Sequence, residues 1–147
     1  MADEPVDEAG LAKLLLEHNL GVLVTIKKDG RPQLSNINYH WDEDRRLIRI
    51  SITDDRAKAR NLRRDSRASL HVTRPDGKAY VVAEGTAELS DVAADPHDAA
   101  VEELIEVFRD IRGEHPDWDD YRLAMVADRR VVVRLHVERL YGFPGFG

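Results

Sequence analysis

The chain has 147 residues, 42% hydrophobic and 34% charged, with a formal net charge of −6. This fits one mainly β domain over residues 1–147, and the lack of any run of about 18 apolar residues excludes a transmembrane helix. The absence of cysteine excludes disulfides and thiol chemistry, and the negative charge weighs against nucleic acid as a partner.

The opening M-A-D-E-P-V-D-E is acidic and unlike a secretory signal, so a cytoplasmic location is expected. Residues 7–18 set Leu11, Leu14 and Leu15 at helical spacing. Leu20 to Lys27 reads as a central strand, apolar on both faces. Asp29-Gly30 signals a two-residue hairpin, because a type I′ turn needs positive φ at both central positions. Pro32 to His40 is an unusual strand. Gln33, Ser35, Ile37 and Tyr39 share one face, and Leu34, Asn36 and Asn38 the other. Polar side chains on both faces imply a wet cleft or a subunit interface; the alternative is an exposed edge.

A turn at 42–44 leads into a strand from Leu47 to Ile52, with Ile48, Ile50 and Ile52 facing one way. A basic helix follows. Arg67 to Thr73 is the next strand, with Ala68, Leu70 and Val72 facing inward. After the Pro75-Asp76-Gly77 turn, the strand from Ala79 to Leu89 carries Gly85, which implies a bulge or a close backbone approach. Asp95 and Pro96 are the expected cap and first residue of a helix whose stripe is Val101, Leu104, Ile105, Phe108 and Ile111. Gly113 closes it. A second helix, after His115-Pro116, presents Trp118, Tyr121 and Met125. Residues 130–138 alternate as the cleanest strand, and the aromatic tail at 140–144 is expected to pack on a neighbour. Six antiparallel strands with helices to one side imply a small barrel or an α+β sheet.

The histidines lack ligand spacing, and no metal site is expected. Nucleotide loops and a serine-triad motif are missing as well. What stands out is the stretch from Arg56 to Arg67, six basic residues against Asp65, a local charge of +5 in an acidic chain. A helix start with such charge suits an anion. Arg56 and Lys58 sit in its first turn, and Asp55 is a candidate cap. Arg60, Arg63 and Arg64 are read as a solvated face.

The runs R-P-Q-L-S-N-I-N-Y-H at 31–40, S-I-T-D-D-R-A-K-A-R-N-L-R-R-D at 51–65 and A-E-G-T-A-E-L at 83–89 resemble the split-barrel flavin-binding superfamily. That superfamily is also called pyridoxamine 5′-phosphate oxidase-like. D-W-D-D-Y-R-L-A-M at 117–125 and R-R-V-V-V-R-L at 129–135 extend the likeness, which is strongest to actinobacterial reductases that use the deazaflavin coenzyme F420. The resemblance implies a six-stranded antiparallel split β-barrel, a homodimer and a cofactor at the subunit interface. It assigns the cofactor phosphate to Arg56 and Lys58, and places Ser51 and Asn61 near the phosphate and ribityl chain. Gln33, Ser35 and Asn36 would lie beside the ring, with Tyr80 reaching over from the partner. It implies hydride transfer to a small organic acceptor. An FMN-dependent pyridoxamine 5′-phosphate oxidase and a non-catalytic haem-binding module are the alternatives.

Overall fold

In the computed structural model, which describes residues 7–146, one antiparallel sheet is curled into a split barrel. The acidic residues 1–6, part of the stretch judged not to be a signal, lie outside the described residues. The elements are α1 (Glu8–Glu17), β1 (Leu20–Ile26), β2 (Pro32–Asn38), β3 (His40–Asp42), β4 (Leu47–Thr53), α2 (Ala57–Arg64), β5 (Arg67–Thr73), β6 (Tyr80–Leu89), α3 (Ala99–Arg112), α4 (Trp118–Ala127) and β7 (Arg130–Phe143). The strand order is β2-β1-β5-β6-β7-β4-β3.

Among the described residues there are seven strands, against six expected. The extra one arises at Tyr39, whose ring turns into the core and whose hydroxyl donates to the Leu15 carbonyl at 2.7 Å. That bend ends β2 and starts β3. β2 is an edge strand, and β1 lies next to it with a partner on each side. The β1–β2 turn also differs from expectation. Gly30 has φ 89° but Asp29 does not have positive φ, and Lys27 N–H donates to the Arg31 carbonyl at 2.8 Å. The loop therefore has three residues with glycine in the left-handed position.

Gly85 sits at the register shift between β6 and β7, where a Cβ would collide with the His136 carbonyl. The bulge and the close approach are one feature. The α3 cap is Asp98, three residues later than expected. Its carboxylate accepts from Val101 N–H at 2.8 Å and from Ala94 and Asp95 N–H at 2.9 and 3.0 Å. Asp95 instead accepts from His97 N–H within the preceding turn. The aromatic tail continues β7 along β6 as far as Phe143.

Two apolar clusters result. The barrel core joins α1 to inward residues such as Leu23, Ile37, Ile50, Leu70, Val81 and Leu135. A second cluster packs α3 and α4 on the outer side of β7 through Val101, Leu104, Ile105, Tyr121, Met125 and Val132. Among the described residues, no helix is long and apolar enough to cross a membrane.

Candidate functional site

Where β2 approaches β4 across the split of the barrel, a cavity of about 580 Å³ opens under the α3–α4 layer. Each wall comes from a different element. The end of β2 supplies Asn36, Ile37 and Asn38. The end of β4 supplies Ser51, Ile52 and Thr53, and the start of α2 supplies Arg56 and Lys58. Arg130 opens β7, where it stands opposite Thr53 in the antiparallel register. The helices close the far side with Val107, Phe108, Ile111, Arg112, Tyr121 and Met125. This volume suits a cofactor or a small organic ligand.

Charge is distributed unevenly here. Among the described residues lining the cavity are four cations, Arg56, Lys58, Arg112 and Arg130, and no carboxylate. Arg56 occupies the cap position of α2 with no side-chain cap bond, and its Nε donates to Thr53 Oγ1 at 3.2 Å. Asp55 does not cap the helix; its carboxylate accepts from the Thr53 hydroxyl at 2.7 Å. The Asp55 carboxyl is held below the usual range by that bond, with Arg56 and Arg60 adding to it. Arg130 points a guanidinium N–H at the Ser51 hydroxyl, 3.4 Å away. Its Nε is buried without a hydrogen-bond partner among the described residues, and the Asp128 carboxylate stands 3.8 Å off. Lys58 Nζ lies 3.5 Å from Ser35 Oγ. Burial pushes the Lys58 ammonium pKa down, and the positive charges of Arg56 and Arg130 push the same way. A half-buried lysine crowded by two arginines in a cleft is an arrangement that favours binding of an anion.

The structure brings Asn36, Ser51, Arg56 and Lys58 together on the cavity wall, with Ser35 behind the lysine. Asn61 and Gln33 are placed differently. Asn61 is buried, and its amide donates to Gln33 Oε1 at 2.7 Å and Thr25 Oγ1 at 3.1 Å. Its carbonyl accepts from Arg64 at 3.0 Å. These groups satisfy each other and fasten α2 to the β1–β2 hairpin. Tyr80 is also off the cavity. It starts β6 opposite Phe143, with its ring 5.6 Å from that of His71. Arg130, Thr53 and the α3–α4 wall are the cavity residues that sequence reasoning missed. Thr53 and Arg130 lie far apart in sequence, and only strand pairing joins them. Among the described residues, no group of three or more metal-ligating side chains is placed to hold an ion.

Cross-strand partners share a face, so Leu20, Leu34, Tyr80, Tyr141 and Phe143 all stand on the outer side of the sheet. All five are exposed, and Leu20 and Leu34 are 60% and 62% accessible.

The family model described as pyridoxamine 5′-phosphate oxidase matches residues 8–143. Among solved structures, a conserved hypothetical protein of Mycobacterium tuberculosis is 27% identical, with 97% of this chain and 88% of that one covered, at a TM-score of 0.72. A protein titled F420 reductase is 25% identical over 95% of this chain and 98% of its own, at a TM-score of 0.63. A haem-binding protein of Mycobacterium smegmatis shares the fold at 21% identity and a TM-score of 0.67; the match covers 99% of this chain and 57% of that one.

Proposed function

The chain belongs to the pyridoxamine 5′-phosphate oxidase family, and from that premise we propose an oxidoreductase that holds the deazaflavin coenzyme F420 by its phosphate. Its reaction is hydride transfer with a small organic acceptor. The observation that carries this reading is the cavity wall bearing Arg56, Lys58 and Arg130 and no carboxylate among the described lining residues. Such a wall is fitted to a phosphate, and the start of α2 beside it adds a partial positive charge. Likeness to the F420 reductase over almost the full length of both chains favours the deazaflavin over FMN. FMN offers the same phosphate and is the alternative.

Bound deazaflavin supplies a hydride carrier that has carbon where flavin has its central nitrogen. The chain supplies position, charge and exclusion of water. Arg56, Lys58 and Arg130 bind the phosphate, and Ser35 steadies the lysine. Ser51 and Thr53 offer hydroxyls beside it. Asn36 and Asn38 on β2 hydrogen-bond to the ring edge. Gln33 and Asn61 act behind this surface, holding α2 in place. The apolar residues of α3 and α4 keep water from the reacting face.

The site is completed by a second copy of the chain. The exposed apolar face carrying Leu20, Leu34, Tyr80, Tyr141 and Phe143 adjoins the β2 edge, and a partner covering it would bring its own Tyr80 toward the cleft. Titration of the protein with coenzyme F420 and with FMN, read by quenching of ligand fluorescence, tests the assignment. Micromolar binding of the deazaflavin by a dimer is expected. Binding of FMN alone, a Soret band on adding haem with no flavin-type binding, or a monomer by crosslinking at micromolar concentration would overturn it.

A further inference from the structure

The cavity holds one more cation than the phosphate cluster accounts for. Arg112 closes the last turn of α3 and lines the cavity from the helical side, whereas Arg56, Lys58 and Arg130 enter from α2 and the strands. Arg112 is exposed at the cavity rim, and among the described residues its side chain makes no ion pair or hydrogen bond. A basic residue at a helix end also complements the helix dipole. Arg109, in the same turn, already fills that role and engages the neighbouring acid, Glu114, at 3.0 Å. Of the four carboxylates of α3, Glu103, Glu106 and Asp110 are drawn to Arg49 and Arg134 on the sheet, and Glu102 to Arg122 on α4.

The surroundings of Arg112 are apolar. Phe108 lies one turn before it on the same helix face, next to Val107 and Ile111, and α4 adds Tyr121 and Met125. A slot of apolar and aromatic side chains with a guanidinium at its open rim describes a ligand with an apolar body and one acidic group. Resting on the function proposed above, we infer that the acceptor is an aromatic-sized apolar molecule bearing a carboxylate, held by Arg112 and the α3–α4 wall. A planar carboxylate can take two parallel N–H bonds from the guanidinium, which an ester or an amide cannot match in charge.

The test compares cinnamate with methyl cinnamate, titrated by calorimetry into the protein with and without coenzyme F420. Wild type should bind the acid roughly tenfold more tightly than the ester, the value of one charge-assisted contact. Arg112→Gln should erase that preference, and Arg112→Lys should keep part of it while reporting that the fold is intact. Equal affinity for acid and ester, or no binding of either by coenzyme-loaded protein, overturns the inference. So does an Arg112→Gln variant that loses affinity for coenzyme F420 while still preferring the acid, because the carboxylate at Arg112 then belongs to the coenzyme tail. A wild-type protein that binds neither F420 nor FMN but prefers cinnamate through Arg112 sinks the function above and leaves this carboxylate site standing.

Discussion

Cations gather in two regions of this molecule, one buried and one partly open to solvent, and they are answered differently. Under α3, the Arg49 side chain is 7% exposed and meets Glu106 at 2.9 Å, Asp110 at 3.0 Å and Glu103 at 3.7 Å. Arg134, its neighbour across the β4–β7 pair, is held by Glu103. At and beyond the far ends of the same strands, Arg56, Lys58 and Arg130 gather where, among the described residues, no carboxylate lines the wall. A chain with 28 acidic residues does not lack carboxylates, so the difference is one of placement. In the first region three carboxylates of α3 answer the Arg49 guanidinium through its terminal nitrogens, while its buried Nε has no hydrogen-bond partner among the described residues, and the contact holds a helix. The second has one long carboxylate contact, Asp128 at 3.8 Å from Arg130, and otherwise hydroxyls and a carbonyl, which leaves positive charge for an anion.

Arg49→Met should have the largest effect on folding. It leaves the mostly buried Glu103 to Arg134 alone and Glu106 and Asp110 without the arginine, and since the last two keep access to water the expected loss is about 2–4 kcal/mol. Urea unfolding would measure it. A variant as stable as wild type would show that Arg49 is no more structural than the cavity cations. Arg130→Gln should do the reverse. Coenzyme affinity should fall by about 1–2 kcal/mol in a fluorescence titration, with an unchanged or higher unfolding midpoint in the ligand-free protein. A drop in stability with no change in affinity would move Arg130 into the structural class.

The pH dependence of stability separates the regions more finely. Lys58 has a folded pKa below its usual value, from burial first and then from Arg56 and Arg130. The unfolded chain therefore holds that proton more tightly. Stability conferred by losing it rises as pH climbs through the window between the depressed pKa and the ordinary lysine value of about 10.4. Thermal midpoints of ligand-free wild type should rise relative to Lys58→Met across that alkaline window, and bound phosphate should flatten the trend. Parallel curves for the two proteins would remove the electrostatic strain from the account. The smallest effect is expected at Arg60, whose guanidinium donates to the Asp55 carbonyl at 2.7 Å on the exposed side of α2. Arg60→Ala should change stability by under about 0.5 kcal/mol and leave coenzyme affinity within twofold. A larger loss of affinity would return the outer arginines to the binding surface.

Much of this contrast is written in the local sequence pattern. The basic helix start and the Gly85 bulge follow from local pattern, because alternation and glycine act over a few residues, whereas the edge position of β2 is only the alternative to a cleft or an interface in that pattern. The strand at Arg67–Thr73 and its inward face came out as expected for the same reason. The split-barrel fold came from whole-chain resemblance, though the inward turn of Tyr39, which makes the seventh strand, did not show in the alternation. The cap of α3 was misplaced because Asp95 and Asp98 both precede the apolar stripe, and only the bonds made by Asp98 distinguish them. Arg130 and Arg49 were missed for a different reason. Each gains its meaning from partners on other elements, Ser51 and Thr53 for one and the acidic side of α3 for the other. The spacing of Glu103, Glu106 and Asp110 on one helix face was the signal that α3 would dock on a cation.

The central claim is that the carboxylate-free wall is a phosphate site for a deazaflavin. Fluorescence titration of coenzyme F420 into wild type and Lys58→Ala tests it most directly. The account predicts micromolar binding by wild type and a loss of about 1.5–3 kcal/mol in the variant, with the fold intact by urea unfolding. An unchanged dissociation constant in Lys58→Ala would contradict it.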